Sequence, residues 1–140
     1  MESSITSDPD LAIGTAKELV ETVAKTILDE LGIGYAKSDD LPTLVKATRK
    51  ALQLVPEGVS ESARASDTFR RLLSNLGTVV DSLAALRNAY GTGHGRSAST
   101  RGLQPRHARL AVGSAATLAT FLFETHEARE ARSEGPEADQ

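Results

Sequence analysis

Leu86-Arg87-Asn88-Ala89-Tyr90-Gly91-Thr92-Gly93-His94-Gly95-Arg96 separates two long helical patterns. Upstream of it, Phe69, Leu72, Leu73, Leu76, Val79, Val80, Leu83 and Leu86 recur at steps of three and four, the spacing of a helix with one buried stripe. Arg87 lies one turn beyond Leu83, in angular register with that stripe. A guanidinium on a core-facing stripe is costly unless it is paired or opens onto a wet cleft. Gly91, Gly93 and Gly95 break the helix and bring His94 back toward its end. A cation and an imidazole are thus expected together, on glycine-rich backbone, at one end of a helical bundle.

Working outward, residues 1–7 read as a disordered lead, 8–128 as one helical domain and 129–140 as an acidic, disordered tail. Asp8-Pro9 is a helix start, with Asp8 as cap and Pro9 at the first helical position. Ile13, Ala16, Val20, Val23, Ile27 and Leu31 carry that helix to Gly32, which stops it. Lys17 and Glu21 sit one turn apart on the flank of its apolar stripe. They read either as a surface pair contributing a few tenths of a kcal/mol or as a pair lining the cleft beside Arg87 or His94. Asp39 or Asp40 can cap a shorter second helix, in which Leu44, Val45, Thr48, Leu52 and Val55 form the apolar side. The third helix is expected to begin near Ser66-Asp67. Pro105 suits the first turn of a fourth, which continues through Ala108, Ala111, Ala115, Leu118 and Leu122. Leu110 and Phe121 lie off the centre of its stripe, which hints at oligomerisation. No alternating run signals a strand. The expected fold is all-α, an antiparallel bundle of four to five helices.

Composition sets further bounds. The chain of 140 residues is 39% hydrophobic and 25% charged, ordinary for one globular domain. It has no cysteine, which removes thiolate chemistry and fits a reducing compartment. No apolar run approaches the roughly 18 residues of a membrane span, and Met1-Glu2-Ser3-Ser4 does not resemble a signal peptide, so a cytoplasmic protein is expected. The net charge of −3 is unevenly distributed. Residues 82–123 contain no Asp or Glu but include Arg87, Arg96, Arg101, Arg106 and Arg109. Such a stretch suits a polyanion held at one site, or a solvated loop balanced by acidic residues folded nearby.

The same residues carry a family resemblance. Arg87-Asn88, followed by His94-Gly95-Arg96, resembles the Arg-x(4–6)-His signature of the HEPN superfamily. Ala16-Lys17-Glu18-Leu19-Val20-Glu21, Leu86-Arg87-Asn88 and Leu110-Ala111-Val112-Gly113-Ser114-Ala115-Ala116 resemble, in that order, the abortive-infection protein C-terminal domain. The resemblance covers most of residues 8–126. It implies a helical bundle, often dimeric, and in many members a metal-independent ribonuclease used in phage defence or as a toxin.

RNA cleavage by attack of the 2′-hydroxyl on the neighbouring phosphorus needs a proton acceptor, a proton donor and a cation for the phosphorane. Histidine serves as acid or base near neutral pH, and arginine grips non-bridging oxygens while keeping its charge. Arg87 and His94 supply those roles, with Asn88 orienting the loop or a phosphate. Arg96, Arg101, Arg106, His107 and Tyr90 are candidate RNA contacts, and Lys17 and Glu21 candidate supports. His107 also reads as a plain surface residue, Tyr90 as helix-end packing, and His94 as an inert turn residue. One bundle offers a single such histidine, whereas a two-fold dimer offers two. No cofactor or metal is called for, since three scattered histidines without cysteine do not make a zinc site. The glycine run lacks the strand and the Lys-Ser/Thr pair of a P-loop. His126, among glutamates, reads as structural or solvent-exposed. The partners expected are RNA, a second copy, and an antitoxin or larger defence protein, with no membrane. The competing reading is a catalytically silent module that dimerises, binds a partner or holds RNA without cutting it.

Overall fold

The computed structural model describes residues 7–52, 63–91 and 103–138, with side chains at 7–52, 67–89 and 103–133. These segments form four helices: α1 (Pro9–Glu30), α2 (Leu41–Leu52), α3 (Ala63–Gly91) and α4 (Pro105–Ala138). No strand occurs among the described residues, and the all-α bundle expected from the periodicities is the fold.

Local chemistry fixes the helix ends. The Asp8 carboxylate accepts a hydrogen bond from the Leu11 amide at 3.0 Å, satisfying one of the donors that a helix start leaves free. Gly32, with φ of +70°, turns the chain out of α1 through the left-handed region where a Cβ is penalised. Asp40 accepts from the Thr43 amide at 3.0 Å at the start of α2. The Thr43 hydroxyl and amide, with a weaker attraction from Lys17, hold the Asp40 carboxyl below its ordinary range. At α4 the Gln104 amide donates to His107 Nδ1 at 2.8 Å, so a side chain in the first turn reaches back to the residue before the helix, the logic of a capping box. Two boundaries differ from expectation. Helix α3 begins at Ala63, so Asp67 is not its cap and pairs instead with Arg70 at 2.9 Å. Helix α4 continues past Arg129 to Ala138, and Arg129 ties it to α2 by donating to the Leu52 carbonyl at 2.7 Å.

The core lies where the apolar stripes meet. Ile13, Val20 and Ile27 of α1, Leu41 and Leu52 of α2, Leu73 and Val80 of α3, and Leu118 and Leu122 of α4 belong to one buried cluster. Helices α1 and α4 share the most extensive contact. The cluster they share is rich in alanine, with Ala12 and Ala16 from α1 and Ala108, Ala111 and Ala115 from α4, all fully buried. Gly14, near the start of α1, lies under Arg87, near the end of α3. Phe69, early in α3, packs on Phe121 of α4 with ring centroids 5.6 Å apart. Helix α3 therefore runs antiparallel to α1 and α4. Phe121 is half-buried by that stacking, whereas Leu110 is 53% exposed.

Leu118 sits at the centre of this cluster, fully buried, with a methyl carbon 3.8 Å from where a Cβ on Gly77 would stand. Truncation to alanine removes its packing and leaves a cavity. Leu118→Ala is expected to cost roughly 2–5 kcal/mol of unfolding free energy, measured by urea denaturation followed by circular dichroism. A loss within about 0.5 kcal/mol, the range of surface substitutions, would contradict this core assignment.

Candidate functional site

Helix α3 carries Arg87 on the edge of its buried stripe, one turn after Leu83, and the side chain is half-buried. It crosses to α1 and rests on Gly14. An ideal Cβ at position 14 would stand 3.0 Å from Nη1 and 3.2 Å from Cζ of Arg87. An alanine there would require the flexible end of Arg87 to give by a few tenths of an ångström, so Gly14 is the notch on which the guanidinium rests. Among the described residues no carboxylate pairs with Arg87, and its donors are not taken up by a hydrogen bond.

The row of α1 residues around the notch is polar. Asp10, Gly14, Lys17 and Glu21 fall at helical spacing along one face. Asp10 is one turn before the notch, and its Oδ1 is buried without a hydrogen-bond partner. Lys17 and Glu21 lie beyond the notch, with Nζ and Oε1 3.9 Å apart and side chains 33% and 26% exposed. They face each other in this half-buried row, and Lys17 also acts on Asp40 at the start of α2.

The other sequence candidates divide. Asn88 is exposed, one residue past the cradle. Arg106 and Arg109 are exposed on the first turns of α4, at the same end of the bundle as Arg87. His107 is half-buried and spends Nδ1 on the Gln104 amide, so only Nε2 remains to meet an anion. The Tyr90 side chain, His94, Arg96 and Arg101 lie outside the described residues. His94 follows the last residue of α3 by three positions.

Gly14 and Asp10 are the residues that sequence reasoning missed. A signal existed for Gly14. Glycine in a helix interior costs about 1 kcal/mol relative to alanine, and a close approach by another group is a standard reason to keep one. Asp10 was hidden because an acid in a first turn already has a reason to be there, the helix dipole.

A family described as a HEPN-like domain, the abortive-infection C-terminal type, matches residues 1–126. No curated protein and no solved structure matches the chain.

The notch can be tested without an activity assay. In an Arg87→Ala background, Gly14→Ala should stabilise the chain by roughly 0.8–1 kcal/mol through helix propensity. With Arg87 present, much of that gain should vanish, because the new methyl group displaces the guanidinium. Equal effects of Gly14→Ala in both backgrounds, compared by urea denaturation as a double-mutant cycle, would show that Arg87 does not rest there.

Proposed function

This chain belongs to the HEPN-like domain family, and we propose that it is a metal-independent endoribonuclease acting in abortive infection or as a toxin. The observation that carries this reading is the cradle of Arg87. A guanidinium rests at partial depth in the bundle end, over a glycine that leaves room for it, and forms no ion pair among the described residues. A purely structural arginine at such a depth would be expected to close an ion pair. One held short of pairing keeps its donors for an incoming anion, and the planar fork suits a phosphate.

In this reading Arg87 binds the scissile phosphate and stabilises the charge that builds on the phosphorane. His94 takes the proton from the 2′-hydroxyl or returns one to the 5′-oxygen. Asn88 orients the phosphate, and Lys17 and Glu21 support the α1 side of the cleft. The acid-free stretch of residues 82–123, with Arg96, Arg101, Arg106, His107 and Tyr90, guides the RNA. Action in the cytoplasm agrees with a chain that has no cysteine, and among the described residues no helix is long and apolar enough to cross a membrane. An antitoxin or a larger defence protein would hold the activity in check.

A second copy completes the site. Leu72, Leu76, Val79 and Leu86 recur on one face of α3, with Leu72 53% and Leu86 43% exposed. Thr68, Arg71, Leu72, Asn75, Leu76 and Val79 line a shallow groove of about 510 Å³ along that face. Leu110 lies three turns before Phe121 on the same side of α4, and Phe121 contacts Phe69 of α3. The α3–α4 seam thus offers a continuous apolar surface, and monomers rarely leave a large one uncovered. A two-fold pairing there would supply a second histidine, so that one ring could act as base and the other as acid.

Arg87→Lys keeps the charge and the stem but loses the fork; it should stay folded and lose most RNA cleavage. His94→Ala should lose about 10²–10⁴ in rate. Wild-type cleavage should persist in excess chelator. Cleavage of a labelled RNA that survives His94→Ala, or that stops with chelator while the chain stays folded by circular dichroism and returns with a divalent ion, would overturn the mechanism.

Light scattering of the purified chain should give a dimer, and Leu72→Asp should shift it to monomer. A wild-type monomer at tens of micromolar would remove the second histidine from the scheme.

A further inference from the structure

Far from the Arg87 cradle, at the other end of the α1–α4 seam, three ligand-type side chains converge. Glu30 is the last residue of α1, and His126 and Glu130 lie one turn apart on α4. His126 is buried, its side chain only 3% exposed, and its Nε2 faces outward to both carboxylates. Nε2 lies 2.9 Å from Glu30 Oε2 and 3.1 Å from Glu130 Oε1. All three ligand atoms fall within 4.8 Å of one another.

Hydrogen bonding accounts poorly for this geometry. An imidazole carries at most one proton on Nε2, in either charge state of the ring, so two carboxylate oxygens compete for a single donor. The two carboxylates also repel each other at this separation. Among the described residues neither carboxylate forms an ion pair with a lysine or arginine. Arg129, their immediate neighbour on α4, is turned to the Leu52 carbonyl instead.

We propose that Glu30, His126 and Glu130 form a binding site for a divalent first-row metal ion of the zinc class. One imidazole nitrogen and two carboxylate oxygens are ligands that such ions accept. Bonds of about 2.1 Å place ligand atoms about 3.0 Å apart at right angles and about 3.4 Å apart in a tetrahedron; Nε2 already stands 2.9 and 3.1 Å from the two oxygens, and both glutamates are surface side chains free to adjust. The ion would take the Nε2 lone pair, with the ring proton on Nδ1, and water would fill its remaining positions. Because Glu30 ends α1 and His126 belongs to α4, occupancy clamps the far end of the seam. The role is a staple of the bundle, separate from RNA cleavage at the opposite end, and it requires only that binding favour the folded chain.

The test titrates zinc chloride into the chelator-treated full chain, following heat by calorimetry and unfolding by circular dichroism. The expected result is one zinc ion per chain and a Tm that rises with zinc and falls back with chelator. Glu30→Gln and Glu130→Gln, both at exposed positions where folding is retained, should each weaken binding by at least about tenfold and together abolish the Tm shift. Cobalt in place of zinc should give visible absorption bands in the wild type that the double variant lacks. A wild-type Tm indifferent to zinc, or zinc binding unchanged in the double variant, would overturn the proposal. Because RNA cleavage is not among the readouts, this outcome is independent of whether Arg87 and His94 are catalytic.

Discussion

Alanine on both sides of the α1–α4 seam sets the separation of those two helices, and much of the bundle depends on that closeness. Ala12 and Ala16 of α1 share one buried cluster with Ala108, Ala111 and Ala115 of α4, with no exposed surface left. Small side chains let helix axes approach toward the short end of the usual 8–10 Å range. A seam packed this way has little room to slip, because interiors are close-packed and a shift would open voids or force overlap. The larger residues, Ile13, Val20, Ile27, Leu118 and Leu122, fill the space toward α2 and α3.

A rigid seam delivers polar groups to its two ends in fixed register. At one end Gly14 stands where Arg87 of α3 can cross over it. At the other, Glu30 stands where it meets His126 of α4. Neither arrangement could form if α1 were displaced along its axis by one turn, since a turn is about 5.4 Å and the contacts concerned are near 3 Å. The chemistry at both ends is therefore a consequence of apolar packing between them.

The energetic character of the two ends differs. Arg87 places a permanent charge at partial depth, over Gly14 and without a closed ion pair among the described residues. The stretch of chain that includes it, residues 82–123, contains no Asp or Glu. The far end has the opposite balance, with two carboxylates around one buried imidazole nitrogen. The two ends thus differ in local charge, a guanidinium at one and two carboxylates at the other, on a chain whose net charge is only −3.

The amino-acid sequence by itself determined the helices and most of their ends. Asp8-Pro9, Gly32, Asp40 and Pro105 act within a turn of where they stand, through caps and backbone preferences that need no partner from elsewhere in the chain. The recurrence of apolar residues determined which faces are buried, and the register of Arg87 with Leu83 marked that arginine as unusual. Tertiary structure decided what each polar side chain meets. Gly14 and Arg87 are far apart in the chain, and Glu30 and His126 are separated by 96 positions; no local pattern encodes such pairs. His126 read as structural or solvent-exposed because its glutamate neighbours in sequence point around a helix, whereas the partner that gives it meaning comes from α1. Phe121 is partly exposed, as its place off the stripe implies, but the residue it packs on, Phe69, comes from α3. Periodicity fixes which face of a helix is apolar, but the neighbour presented to that face depends on how all the stripes pack at once.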